Sequence, residues 1–315
     1  MNVLEIIRTS IDRLPDGPHA LGLRSVMRHI DAAAGHLARG QDAGDDGAFT
    51  DAIYRTNQAF EGSVKEAYRV LTANDPARKT PAEIENYLEK NEVLRERVLV
   101  QLRRYRQEWR NPSTHDYNLD FDEDEAFLAI VSVSAFAKVL IDQIAQKLAF
   151  DAAADQAPAA DHVLKHADSP LSDRLIEAAT VVFGPSADGS IDLVKRSEPQ
   201  LIGALAGYLS STYGLEVEIE PVIRSGELVA RPDMIIGGQD GPTVVELKRY
   251  GRRGVSSSAD AAQVLSYARA AGIREGILLL FEVGAPAYSV SEHFVGQAAT
   301  VIVIAPHWPQ AALPS

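Results

Sequence analysis

Residues 231–250, RPDMIIGGQDGPTVVELKRY, constrain this chain more tightly than any other stretch. The apolar run over 243–248 is interrupted only by Glu246 and Lys248. Side chains alternate faces along a strand, so Val244, Glu246 and Lys248 share one side while Val245 and Leu247 take the other. An acid and a lysine inside such a run are costly to bury without a partner or an ion. Upstream, residues 237–242 (GGQDGP) permit positive φ or fix a bend, which predicts an antiparallel hairpin between 234–236 and 243–247. That pairing can bring Asp233 across from Glu246.

Two carboxylates with a free edge offer hard oxygen donors to a divalent ion that keeps most of its water. This suits magnesium, with manganese as an alternative, better than zinc. A lysine two residues on can orient or deprotonate a water, or neutralise charge building on a phosphoryl group. The arrangement resembles the PD-(D/E)xK nuclease superfamily, with Pro232-Asp233 and Glu246-Leu247-Lys248 in the motif positions. The next helix carries Gln263 and Tyr267, four apart on one face, and this matches the Gln-x-x-x-Tyr element of the RecB-like branch. The resemblance covers nearly all of residues 195–305. It implies a restriction-endonuclease-like α/β domain with a central mixed sheet flanked by helices, cleaving DNA with metal held by Asp233, Glu246, the Leu247 carbonyl and Glu198. Lys248 and Gln263 would complete the catalytic set, and Arg249, Arg252, Arg253 and Tyr267 would contact the nucleic acid.

With 315 residues the chain can hold two domains, each with its own core. The expected division is 1–150 helical, 151–172 linker and 173–315 α/β. The absence of cysteine excludes disulfides and thiolate metal sites. No stretch looks apolar for long enough to span a bilayer, and no secretion signal opens the chain, so a cytoplasmic protein without a membrane partner is expected. A net charge of −13 argues against nucleic acid at first sight. The arginines are clustered, however: Arg249, Arg252 and Arg253 follow the motif strand, and Arg103, Arg104, Arg106 and Arg110 group in the first half. Both clusters are expected to make phosphate contacts.

The first half reads as helical throughout. Apolar residues recur at helical spacing over 18–39 and 48–73, and Thr80-Pro81-Ala82-Glu83 is a helix-start signature for a helix reaching residue 106, with a break near Asn91. Asp120 and Glu123 suggest a capping box for a helix over 121–148. Between these helices stand Arg110-Asn111-Pro112 and His115. Arg110, Asn111 and His115 resemble the signature of the HEPN superfamily of helical bundles. That resemblance implies metal-independent action on RNA by Arg110 and His115, and a composite site built by a homodimer. Histidine can move a proton near neutrality while arginine holds a phosphate.

The leading expectation is therefore a magnesium-dependent DNA endonuclease with a dimerising helical domain, of the kind found in antiviral defence systems, acting alone or with a partner subunit. One alternative is a metal-independent ribonuclease toxin whose second domain senses nucleic acid. Another is a non-catalytic DNA-binding and dimerising subunit.

Overall fold

The computed structural model divides into two units, Met1–Lys147 and Leu148–Ser315. It describes residues 2–115, 120–156, 169–185, 196–238, 241–250, 257–296 and 298–307, without the side chains of His115 and Ser257.

The first unit is helical, as its periodicity predicts. Asn2 caps α1 (Val3–Asp12) by accepting from the Glu5 amide. Helices α2 (Pro18–Ala43) and α3 (Gly47–Thr72) pack along one another and bury the apolar positions Leu23, Val26, Ile30, Ile53, Phe60 and Val64. Thr80 and Glu83 form the expected reciprocal cap on α4 (Pro81–Lys90). The chain then breaks at residues 91–95 before α5 (Glu96–Tyr105). A π-helical turn (Arg106–Arg110) leads into α6 (Asn111–His115). Pro112 accounts for the wide turn: in a regular helix its ring would meet the carbonyl four residues back. Here the Asn111 amide reaches the Arg106 carbonyl instead, and the Ser113 hydroxyl donates to the Trp109 carbonyl at 2.7 Å.

Two expectations about the next helix are corrected. The reciprocal cap is made by Asp122 and Glu125 (2.9 and 3.0 Å), not by Asp120 and Glu123. The helix, α7 (Glu123–Asp155), does not stop at residue 148, and residues 151–155 are helix instead of linker. Ala149, Phe150 and Ala153 pack on the core of the second unit, which gives those turns an apolar reason to stay helical. Gly207 has room there for no side chain, since a Cβ would lie 2.3 Å from the Phe150 carbonyl oxygen. By length and composition α7 is apolar enough to cross a membrane, contrary to the sequence expectation, but 56% of its most apolar window is buried inside the protein. It packs as a core helix.

The second unit is built on a six-stranded sheet. After α8 (Leu171–Phe183) and α9 (Glu198–Tyr213) come β1 (Val217–Ile219), β2 (Ile223–Ser225), β3 (Leu228–Ala230), β4 (Met234–Ile236) and β5 (Thr243–Arg249). Helix α10 (Ser257–Ala271), β6 (Glu275–Phe281), β7 (Ala287–Val295) and β8 (Thr300–His307) follow. Strand order is β1-β4-β5-β6-β8-β7, parallel across β5-β6-β8 and antiparallel elsewhere, while β2 and β3 pair only with each other. The β4–β5 register, Met234 with Val245 and Ile236 with Thr243, is the predicted hairpin. Residues 239 and 240 of its turn lie outside the described residues.

Pleating sorts β5 between two cores. Val245 and Leu247 join a cluster with α8 and α9 through Phe183, Leu201 and Leu205. Val244 faces the other way, onto Ala261, Val264 and Ala268 of α10. Residues 215–223, apolar enough to read as a single strand, are interrupted at Glu220, which has φ of 51° ahead of Pro221, and the chain leaves the sheet there as the β2–β3 hairpin.

Candidate active site

Glu246 and Lys248 stand on the face of β5 that α10 covers, because they keep step with Val244. Extending the β4–β5 register by one residue sets Asp233 against Glu246, and the hydrogen bonds follow that placement. Asp233 Oδ2 accepts from the Leu247 amide at 2.7 Å, and the Asp233 amide lies 3.3 Å from Glu246 Oε2. Lys248 Nζ donates to Glu246 Oε1 at 2.7 Å. Glu246 is 4% exposed, whereas the Lys248 side chain keeps 34% of its surface. The cluster is therefore buried on its acid side and open on its amine side.

Its electrostatics are unbalanced. Burial, then the charge of Glu246, push the Asp233 carboxyl up to about 7; the Leu247 amide and Lys248 pull the other way, and Glu198 adds to the rise. For Lys248, burial favours the neutral amine. The hydrogen bond to Glu246 and the charges of Glu246, Asp233 and Asp260 outweigh it, so its pKa is raised. Two carboxylates thus share one ammonium at close range. Glu198, exposed in the first turn of α9, acts on Asp233 through its charge.

Among the described residues, no set of three or more His, Asp or Glu side chains gathers as a metal-binding group. Asp233 and Glu246 supply two carboxylates, and the main chain supplies a third oxygen. An extended residue turns its amide and carbonyl toward the same neighbour, so the Leu247 carbonyl faces the side on which its amide meets Asp233.

Gln263 and Tyr267 are half-buried on α10 and hydrogen-bond to each other. Among the described residues neither bonds to Asp233, Glu246 or Lys248, and Tyr267 packs on the core beneath α10. Arg249 is exposed on the opposite face from Lys248, with its guanidinium 5.6 Å from the Phe281 ring centre. Arg252 and Arg253 lie outside the described residues. Asp260, in the first turn of α10, was not among the predicted site residues. Its influence on Lys248 depends on where the helix lands, and no short motif encodes that. A cavity of about 610 Å³ lies elsewhere, at the first residues of β5, β6 and β8, and does not include the acid cluster.

In the helical unit, Arg110 ends the π turn. Its Nε is 3.7 Å from Glu61 Oε1 and its Nη1 donates to Asn111 Oδ1 at 3.2 Å. His115 closes α6, and its side chain lies outside the described residues. The expected phosphate-binding arginines carry carboxylate partners: Arg103 with Glu89, Arg104 with Glu108, and Arg106 with both Glu85 and Glu89. Each of these three arginines therefore pairs with an acid within the unit.

Comparison with protein-family models, curated proteins and solved structures gives no match. The functional reading accordingly stands on the geometry.

Proposed function

We propose that the second unit is a metal-dependent phosphodiester hydrolase, a nuclease of the PD-(D/E)xK kind, with its site at Asp233, Glu246 and Lys248. One observation carries this reading: two carboxylates and an ammonium meet at the end of a buried strand, with Asp233 raised to about 7 by burial and then by the charge of Glu246. Such a carboxylate pair is poised to accept a further cation, and its hard oxygens suit magnesium or manganese. Asp233, Glu246 and the Leu247 carbonyl would hold the ion. When bound, it supplies Lewis-acid polarisation of a phosphoryl oxygen and a more acidic water.

The remaining work falls to the protein. Lys248, the open member of the cluster, places a hydrogen-bond donor and a positive charge where negative charge grows on the phosphorus. Asp233 is held in place by the Leu247 amide, so its free oxygen has a defined direction. The hydrogen bond and charge of Glu246, with smaller contributions from Asp233 and Asp260, favour the protonated form of Lys248. Positioning and charge neutralisation are most of what phosphoryl transfer asks of a protein.

The test is to incubate the chain with plasmid, single-stranded DNA and RNA, with magnesium and with EDTA. Cleavage that needs the metal and disappears in Asp233→Ala and Lys248→Ala, with the fold intact by circular dichroism, supports the assignment. Undiminished cleavage in both variants removes it.

A second reading, ribonuclease action by Arg110 and His115, draws on the π-helical turn that presents Arg110, since such turns recur at functional sites. Activity that survives EDTA and vanishes in His115→Ala would favour it.

A further inference from the structure

The chain makes a detour that ends at the candidate site. At residue 220 it leaves β1, forms the β2–β3 hairpin, and returns to the sheet at Asp233. The detour closes on that same residue: the Glu220 amide donates to the Asp233 carbonyl at 2.8 Å, while Arg231-Pro232 runs straight into it. Residues 221–231 are therefore a finger whose neck is the backbone of Asp233. Glu220, at the entry, holds φ of 51°, a strained value for a residue with a Cβ, which the closed neck sustains.

The finger has two unlike faces. Its register pairs Ile223 with Ala230 and Arg224 with Val229. Ile223 and Ala230 are buried and the hairpin packs on α10, the helix over Glu246 and Lys248. The other face shows Arg224, Val229 and, by the same alternation, Arg231, all exposed. Leu228, at the turn, is 44% exposed. In a chain of net charge −13, the finger carries two arginines and one glutamate and sets Arg231 two residues from Asp233.

We propose that this finger is a groove-reading element for double-stranded DNA, which docks the duplex so that a backbone phosphate meets Asp233. The inference rests on the phosphodiester reading of that site. A two-stranded ribbon fits the major groove of B-form DNA. With one face packed on α10, the hairpin offers the groove its turn and its outer face, where Arg224, Leu228 and Val229 are exposed. The deep, narrow major groove of duplex RNA does not admit such a ribbon. Single strands are held by stacking on aromatic side chains, and the sequence of the finger, PVIRSGELVAR, contains none. Arg224 and Arg231 stand diagonally on the outer face and meet phosphates flanking the groove, while Val229, across from Arg224, lies against base edges.

The test measures binding in an Asp233→Asn background, which keeps the backbone neck and removes cleavage. Fluorescence anisotropy is recorded for one sequence as DNA duplex, DNA single strand and RNA duplex over a series of salt concentrations. The DNA duplex is expected to bind tightest. Arg224→Ala with Arg231→Ala should weaken duplex binding at least tenfold and reduce the salt slope by about two. Arg224→Lys with Arg231→Lys should restore most of both, which separates lost charge from lost folding. Arg269→Ala, in the last turn of α10, should change neither.

Tightest binding to single strands or RNA, no DNA binding at all, or an unchanged affinity and slope in the double alanine variant would each overturn the proposal. Cleavage is measured separately in the otherwise natural chain. Asp233-dependent cleavage with indifferent finger variants discards the finger and keeps the nuclease. Finger-dependent duplex binding without cleavage does the reverse.

Discussion

The two units handle buried charge in opposite ways. Around the π turn of the helical unit, each arginine meets a carboxylate: Arg106 lies 3.2 Å from Glu85 and 3.4 Å from Glu89, Arg103 reaches Glu89, and Arg110 faces Glu61. At the end of β5, two carboxylates share a single lysine, and Asp233 is raised to about 7. Burial raises both Glu85 and Asp233; at Glu85 the hydrogen bond and charge of Arg106 offset only part of the rise, whereas at Asp233 the charge of Glu246 adds to it. Paired charge of the first kind holds a fold together. Unbalanced charge of the second kind destabilises the fold that contains it, and this is the ground on which a cation site is proposed there.

The contrast predicts opposite signs for removing an acid from each unit. Asp233 has a folded-state pKa of about 7 against an ordinary 3.8. The stability associated with its neutral form is fully present below about pH 4 and is lost as pH rises through 7. Asp233→Asn keeps a neutral group at every pH. The variant should match the natural chain near pH 4 and exceed it at pH 8, by an upper limit of about 4 kcal/mol. Thermal or denaturant melts across that range, with hydrogen exchange at β5 to locate the change, give the answer. Magnesium should stabilise the natural chain and leave the variant unmoved. A variant no steadier than its parent at pH 8 would mean that the acids at β5 are as well matched as those around Arg106.

Glu85→Ala should act the other way. Glu85 is 3% exposed, and its loss leaves Arg106 sharing Glu89 with Arg103. Removing one partner of a buried pair costs about 3 kcal/mol. Melts at neutral pH should show that loss, with exchange accelerating in α4 and α5 and not in β5. A stabilised variant would erase the distinction between the units.

How far this contrast could be read in advance depends on the range of the interactions. The hairpin that joins Asp233 to Glu246 is local: the turn residues at 237–242 and the period-two run over 243–248 specify it within twenty residues, and the register matches. The Thr80–Glu83 cap is equally local and equally legible. Glu85 and Arg106 are 21 residues apart and Glu61 and Arg110 are 49 apart, so these carboxylate partners could not be read from the local sequence. Asp260 reaches Lys248 only because α10 crosses the face of β5 that carries it. The detour at Glu220 was hidden only in part. Val217 and Ile219 keep the period of a strand but Val222, three residues on, does not, so the change of phase was present in the sequence although the backbone turn at Glu220 was not. Likewise, the final turns of α7 have weak helical signals of their own and are held by Ala149, Phe150 and Ala153 on the neighbouring core.

A smaller effect sharpens the comparison by removing charge from it. Asn57 bridges α3 to the segment after the π turn: its Nδ2 donates to Ser113 Oγ at 2.6 Å, and the Tyr105 hydroxyl sits between Asn57 Oδ1 (3.0 Å) and Thr56 Oγ1 (2.7 Å). All four residues are buried. Asn57→Ala strands part of this network and should cost about 2 kcal/mol in a melt, independent of pH between 5 and 8, because no member titrates there. A pH-dependent loss would show that the charged groups around Arg106 and Arg110 depend on the neutral network for their pairing.

The smallest effect belongs to Arg104→Ala, and its smallness is the point. Arg104 lies 3.1 Å from Glu108, one helical turn on, but the two side chains are 65% and 44% exposed. Water already solvates both ions, so the pair should contribute only about 0.3–0.5 kcal/mol, and less as salt is added. Arg104 and Arg106 are two residues apart on the same segment, with the same functional group and comparable distances to glutamate. If burial decides which pairs matter, the two arginines must separate clearly, with Arg104→Ala near the limit of a denaturant melt and Arg106→Ala well beyond it. Equal losses would place the stabilisation in the packing of the guanidinium stems, and the charge balance of the helical unit would then say nothing about the imbalance at Asp233.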